Sequence, residues 1–151
     1  MQIFIGADHR GFQLKKKVID HLKSRGHQAA DVGTHIEGVD CDYPPLSKDV
    51  AVRVSKTAGS LGILLCMTGI RHSIAANKVP GAYAALCTNV EAARFSRQHN
   101  NANILVIGAK FVTATQVLEI IDAWLSAQFE GGRHLRRIQQ IKDIEKEFMK
   151  G

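Results

Sequence analysis

Short apolar runs alternate with longer amphipathic stretches along this chain. QIFIGA at 2–7 reads as a strand, and residues 11–25 carry a helical period that Gly26 stops. HQAADVG at 27–33 predicts a second strand, followed by a polar loop over 34–43. Pro44 and Pro45 open the next helix, which runs to about Thr57. LGILLC at 61–66 has no polar position, the pattern of a parallel strand covered on both faces. A helix then runs to Lys78, AYAALC at 82–87 predicts strand four, 91–98 is helical, and NILVIGA at 103–109 predicts strand five. Residues 114–128 form a helix, Gly131 and Gly132 break it, and a charge-rich helix fills 133–149.

Five strand–helix alternations imply an α/β fold, a parallel sheet with helices on both faces. With no internal repeat and no composition break, residues 1–151 read as one doubly wound, Rossmann-like domain. In such sheets ligands bind beyond the carboxyl ends of the strands, where the strand order reverses. Taking the common order 2-1-3-4-5, the reversal falls between strands one and three. Gly6-Ala7-Asp8-His9-Arg10-Gly11 then faces Cys66-Met67-Thr68-Gly69 across the crevice.

Composition narrows the partners. The 151 residues are 45% apolar and 23% charged, a soluble globular balance, and no apolar run nears the ~20 residues of a membrane span. Asp8 and His9 interrupt the stretch where a signal peptide is continuous, so the expectation is a cytoplasmic protein with no membrane partner. Lys+Arg exceed Asp+Glu by 20 to 14, which favours an anionic ligand. Aromatics at 6% are too sparse for base stacking, which ranks a small phosphate ahead of nucleic acid. Lys15, Lys16 and Lys17 read as a solvated helix face, and Arg133, Arg136 and Arg137 form a second basic cluster. Cys41, Cys66 and Cys87 lack CxxC spacing, so neither a disulfide framework nor a zinc knuckle is indicated.

Cys66 ends a buried strand just before a helix, where free N–H groups stabilise a thiolate, whereas Cys41 and Cys87 read as inert packed cysteines. Thr68 suits the cap of that helix, a substrate contact, or both. Asp8 beside His9 is either a turn-forming carboxylate or a carboxylate–imidazole pair.

The same residues carry a family resemblance. Asp8-His9-Arg10-Gly11-Phe12, Asp31-Val32-Gly33-Thr34, Asp42-Tyr43-Pro44, Gly62 to Cys66, Thr68-Gly69 and Ser73 to Lys78 occur in order. Arg97 to Asn103 and Gly131-Gly132-Arg133-His134 with Arg137 follow. Together, across nearly the whole chain, they resemble the ribose-5-phosphate isomerase B family, whose relatives also act on allose 6-phosphate or galactose 6-phosphate. The resemblance implies aldose–ketose isomerisation of ribose 5-phosphate and ribulose 5-phosphate through an enediolate, in the pentose phosphate pathway, with no metal or cofactor. It implies Cys66 as the base, Thr68 and His99 in ring opening, and Asp8 orienting the reacting end. His9, Arg133 and Arg137 would hold the phosphate, and Tyr43 and Asn100 line the pocket.

The loop after the cysteine departs from the family's Gly-Thr-Gly-x-Gly. Here it reads Met67-Thr68-Gly69-Ile70-Arg71, then His72, so the resemblance implies that Met67, Gly69, Ile70 and Arg71 meet the substrate, with two glycines replaced by large side chains. A non-glycine at φ > 0 costs roughly 1 kcal/mol or more. The family's Gly-Ile-Arg-Ala becomes Gly81-Ala82-Tyr83-Ala84, and Lys110 stands where arginine is common. Three outcomes stay open: an intact pentose-phosphate isomerase, an isomerase of another sugar phosphate, or a non-catalytic phosphosugar binder.

Topology adds an expectation about assembly. His99 and Arg133 lie toward the amino edge of the sheet, whereas Cys66 and Asp8 lie at the carboxyl edge. A six-residue strand separates the edges by about 20 Å. His99 is therefore expected to reach the site from a two-fold partner in a homodimer, which the family resemblance also implies, with pairing into tetramers left open.

Overall fold

The computed structural model describes residues 1–149. Five parallel strands, β1 (Gln2–Ala7), β2 (Gln28–Gly33), β3 (Leu61–Cys66), β4 (Ala84–Leu86) and β5 (Ile104–Gly108), alternate with helices. A 3-10 turn at His9–Gly11 leads into α1 (Phe12–Ser24), and α2 (Tyr43–Lys56), α3 (Ile70–Ala76), α4 (Val90–Asn100), α5 (Ala114–Ser126) and α6 (Arg133–Phe148) follow. The sequence predicts the last helix to 149, and in the structure it ends one residue earlier. The α/β class and helices on both faces are as the periodicity indicates.

The sheet order is β2-β1-β3-β5-β4, which corrects the assumed 2-1-3-4-5. Burial explains the exchange. β5 is apolar and buried at all five positions and takes the inner place beside β3, whereas β4 is a three-residue, half-exposed strand suited to an edge. The reversal still falls between β1 and β3, so the expected crevice is retained.

Two apolar clusters flank the sheet. Ile3, Ile5, Ile63, Leu65, Leu105 and Ile107 pack with Val18 and Leu22 of α1 and Val117, Ile121 and Trp124 of α5. On the other face Leu64, Ile104 and Val106 meet Val50, Ala51 and Val54 of α2 and Ala76 of α3. Gly62 lets α2 approach closely, since a Cβ there would lie 3.0 Å from both Val50 and Val54 side chains. Helix α6 lies apart from the sheet. Glu145 ties it down by accepting from the Gly81 N–H at 2.8 Å and the Tyr83 hydroxyl at 3.2 Å. Burial and the Glu145 carboxylate push the Tyr83 phenol up to about 12.

The lysine run divides. Lys15 is buried, contrary to the reading of all three lysines as a solvated face, while Lys16 and Lys17 are exposed. Its ammonium donates to Asp31 Oδ1 at 2.8 Å and to the Thr34 carbonyl, tying α1 to the end of β2. Helical spacing turns position 15 inward with Val18 and Leu22, which the charge of the run conceals. Lys15→Ala is expected to cost about 2–3 kcal/mol by removing the shared donor from these two acceptors. Lys16→Ala should stay within about 0.5 kcal/mol. Urea denaturation of both variants checks this, and equal midpoints would contradict it.

Candidate active site

Strand register builds the site. Ala7 pairs with Leu65, so Asp8 and Cys66 leave adjacent strands side by side at the carboxyl edge. Gly108 pairs with Cys66, and the turn after β5 holds the next loop, with Ala109 N–H donating to Cys66 O at 2.7 Å and Lys110 N–H to Met67 O at 2.9 Å. Above these ends opens a cavity of about 420 Å³ lined by Asp8, His9, Arg10, Tyr43, Cys66, Met67, Thr68, Arg71 and His72, with 40–42 closing one side.

Asp8 takes the turn-forming role and does not pair with His9; the imidazole it faces belongs to His72. Its Oδ1 accepts from Arg10 N–H at 3.0 Å and Gly11 N–H at 3.2 Å, capping the 3-10 turn. Its Oδ2 faces His72 Nε2 at 4.0 Å. His9 Nδ1 lies 3.2 Å from Asp40 Oδ1. Tyr43 opens α2, meets the His72 ring edge-on at 5.9 Å, and carries the Arg71 guanidinium 5.7 Å over its face.

Cys66 is buried, and its Sγ accepts the Gly69 N–H at 2.9 Å. Burial raises the thiol above its ordinary range, Asp8 adds to this, and the Gly69 and Thr68 N–H groups and Arg71 oppose it without prevailing. The expected bias toward thiolate is thus present but outweighed. Thr68 is not the helix cap. That position belongs to Gly69, and Thr68 Oγ1 accepts only a long 3.4 Å bond from Ile70 N–H. Cys41 is half-exposed on the cavity wall, which corrects its reading as a packed cysteine, while Cys87 is in the core.

The altered loop carries no backbone strain at its substitutions. Asn101 is the positive-φ non-glycine among the described residues, so Met67 and Arg71 stand where side chains are ordinary. Gly69 alone keeps the left-handed conformation, at φ 80°, and a Cβ there would lie 2.5 Å from Leu86 Cδ1. Ile70 is exposed outside the cavity, and Lys110 borders a separate shallow concavity with Arg10 and Met67. Tyr83 sits by the amino edge against α6, so the arginine absent there and the one gained at Arg71 belong to different places.

His99, Asn100, Arg133 and Arg137 line no part of this cavity. His99 lies in the last turn of α4, stacked between Phe95 (4.8 Å) and His134 (4.4 Å), with Glu130 Oε2 3.7 Å from its Nε2. Among the described residues, two trios bring metal-ligating atom types within 4.8 Å of one another: Asp8, Cys66 and His72, and His99, Glu130 and His134. In the second, the rings lie 13° from parallel, so their in-plane lone pairs do not converge on one point. In the first, His72 Nδ1 is already hydrogen-bonded to the Ser47 hydroxyl and Cys66 Sγ to the Gly69 N–H. Sequence reasoning gave His72 no role beyond reshaping the loop. Its signal is a polar residue at a helical position that packs against α2.

The family description "Ribose/Galactose Isomerase" matches residues 3–141. The chain belongs to that family. It is 44% identical over 146 residues to a protein named probable ribose-5-phosphate isomerase B from Mycoplasma genitalium, covering 96% of each chain. The Clostridium thermocellum ribose-5-phosphate isomerase B structure superposes with TM-score 0.92 at 47% identity, covering 98% of this chain and 99% of that one. The Mycoplasma genitalium ribose-5-phosphate isomerase B crystal structure with bound ribulose-5-phosphate gives TM-score 0.93 at 44% identity, covering 97% of both. No described helix is long and apolar enough to cross a membrane.

Gly69→Ala is expected to destabilise this isomerase by about 1–2 kcal/mol through left-handed strain alone, with the Leu86 clash in addition. Met67→Gly and Arg71→Gly relieve no strain and should not stabilise it. Thermal melts of the three variants compare these, and a rise in Tm for either glycine variant would contradict the account.

Proposed function

We propose that this protein interconverts ribose 5-phosphate and ribulose 5-phosphate through an enediolate, with Cys66 moving the proton between the two carbons and the reaction serving pentose phosphate metabolism in the cytoplasm. The observation that carries the reading is a buried cysteine at the end of β3, beside Asp8, in a cavity of about 420 Å³, and membership of a sugar isomerase family supports it. The relative with bound ribulose-5-phosphate supports the substrate. The backbone N–H groups of the loop, two of which already face Sγ, are suited to a developing oxyanion as well.

Charge supports completion of the site by a second subunit. The cavity offers Arg10 and Arg71 against three aspartates, a poor match for a phosphate dianion. Arg133 and Arg137 supply the missing cations from the opposite edge, together with His99 for ring opening. Exposed Ile70 and Ile74 on α3, Phe95 on α4 and Leu135 on α6 offer apolar surface for a two-fold interface. In this reading a homodimer is the catalytic unit, and Asn100 enters the pocket alongside His99.

Turnover on ribose 5-phosphate, allose 6-phosphate and galactose 6-phosphate in parallel tests the reading. Activity on the pentose is expected, falling about 1,000-fold in Cys66→Ala. Activity confined to a hexose phosphate would make the Met67–Arg71 loop a specificity element instead, and binding without turnover would indicate a phosphosugar binder. Mixing Cys66→Ala with His99→Ala subunits is expected to restore about a quarter of wild-type activity, because half the dimers then hold one intact site. Normal mixed dimers with no recovery would overturn the shared site.

A further inference from the structure

His72 lies outside every role that the family resemblance supplies, yet it is fully buried in the cavity wall beside Cys66. Its protonation state follows from its neighbours. The Ser47 hydroxyl donates to the Tyr43 carbonyl at 3.0 Å, so the oxygen it turns toward His72 Nδ1, 2.6 Å away, accepts. With the Ser47 hydrogen on the Tyr43 carbonyl, Nδ1 carries the ring hydrogen, and Nε2 of the neutral ring is an unprotonated acceptor. That atom is buried without a hydrogen-bond partner. The groups facing the ring are Asp8 from the 3-10 turn, Cys66 from β3, Tyr43 from α2 and Arg71 from its own helix. Asp8 donates nothing when ionised, and the Arg71 guanidinium lies over the Tyr43 ring. The donor at hand is the Cys66 thiol, with Sγ, an Asp8 oxygen and a His72 ring nitrogen all within 4.8 Å of one another. A change of the Cys66 rotamer or one bridging water spans that distance.

We infer that His72 Nε2 is the proton acceptor that activates Cys66, with Ser47 as the positioning residue that fixes the required tautomer. The S–H bond breaks and an N–H bond forms, converting thiol and imidazole into thiolate and imidazolium with no change in net charge. The thiolate is met by the Gly69 N–H and the imidazolium by the Asp8 carboxylate. After carrying the substrate proton from one carbon to the next, Sγ takes its own proton back from Nε2. Burial lowers His72 as it raises Cys66, so at neutral pH the resting pair is uncharged and Nε2 is free to accept. The use of the thiolate in isomerisation rests on the proposed function, whereas the pair itself does not.

In a Cys41→Ser, Cys87→Ala background, Cys66 is the sole thiol, and its iodoacetamide alkylation rate against pH reads the pair directly. Relative to that parent, His72→Asn is expected to slow alkylation at neutral pH by at least about tenfold and move the profile to higher pH. On ribose 5-phosphate it should lower kcat about 100-fold while KM changes little. Ser47→Ala should shift both readouts in the same direction by less, and it keeps the proposal testable if His72→Asn fails to fold. A His72→Asn protein that folds and matches the parent in alkylation profile and kcat would overturn the pair. If the alkylation gap is present but the parent does not turn over ribose 5-phosphate, the pair stands and the substrate assignment falls. If turnover is normal and the gap is absent, the reverse holds.

Discussion

Burial of a thiol at the end of β3 is the constraint on which the rest of this site depends. The strand is covered along all six residues, so its last side chain emerges into a poorly solvated corner where an anion is costly. Every feature around Cys66 bears on that cost. The turn at Gly69 aims a backbone N–H at Sγ, the loop after β5 holds the Cys66 and Met67 carbonyls, and Asp8 and His72 provide a place for the proton to go.

The parallel register of β1 and β3 sets which groups share that corner. Asp8 follows the residue paired with Leu65 and so stands beside Cys66, while one of its oxygens is spent on the turn that starts α1. A second consequence is geometric. A doubly wound sheet sends each helix back to the amino edge, which carries His99 and the α6 arginines away from the cavity of their own chain. A fold of this kind joins the two sets only by symmetry, and the carboxylate excess of the single-chain cavity is what that pairing would correct.

Much of this was legible in the sequence, for physical reasons that differ by element. LGILLC marked β3 to the residue because a strand covered on both faces admits no polar position. The crevice was legible because the reversal between β1 and β3 does not depend on how β4 and β5 are ordered. That order was not, since periodicity measures the apolar character of a strand and not its neighbour. Lys15 misled through its charge, which a partner at the end of β2 accommodates. Met67 and Arg71 looked costly against the family's glycines, but strain depends on φ, which only the backbone path reveals. His72 was hidden for a similar reason: its hydrogen-bond partner, Ser47, lies twenty-five residues away in sequence.

The central claim is that chemistry in this cavity passes through Cys66. Its most direct test treats the unmodified protein with iodoacetamide while following turnover of ribose 5-phosphate and locating the modified cysteine by peptide mass spectrometry. The account predicts activity lost in proportion to alkylation of Cys66, and protection of both by saturating ribose 5-phosphate. Full alkylation of Cys66 with activity intact, or inactivation that tracks Cys41 on the cavity wall, would contradict it.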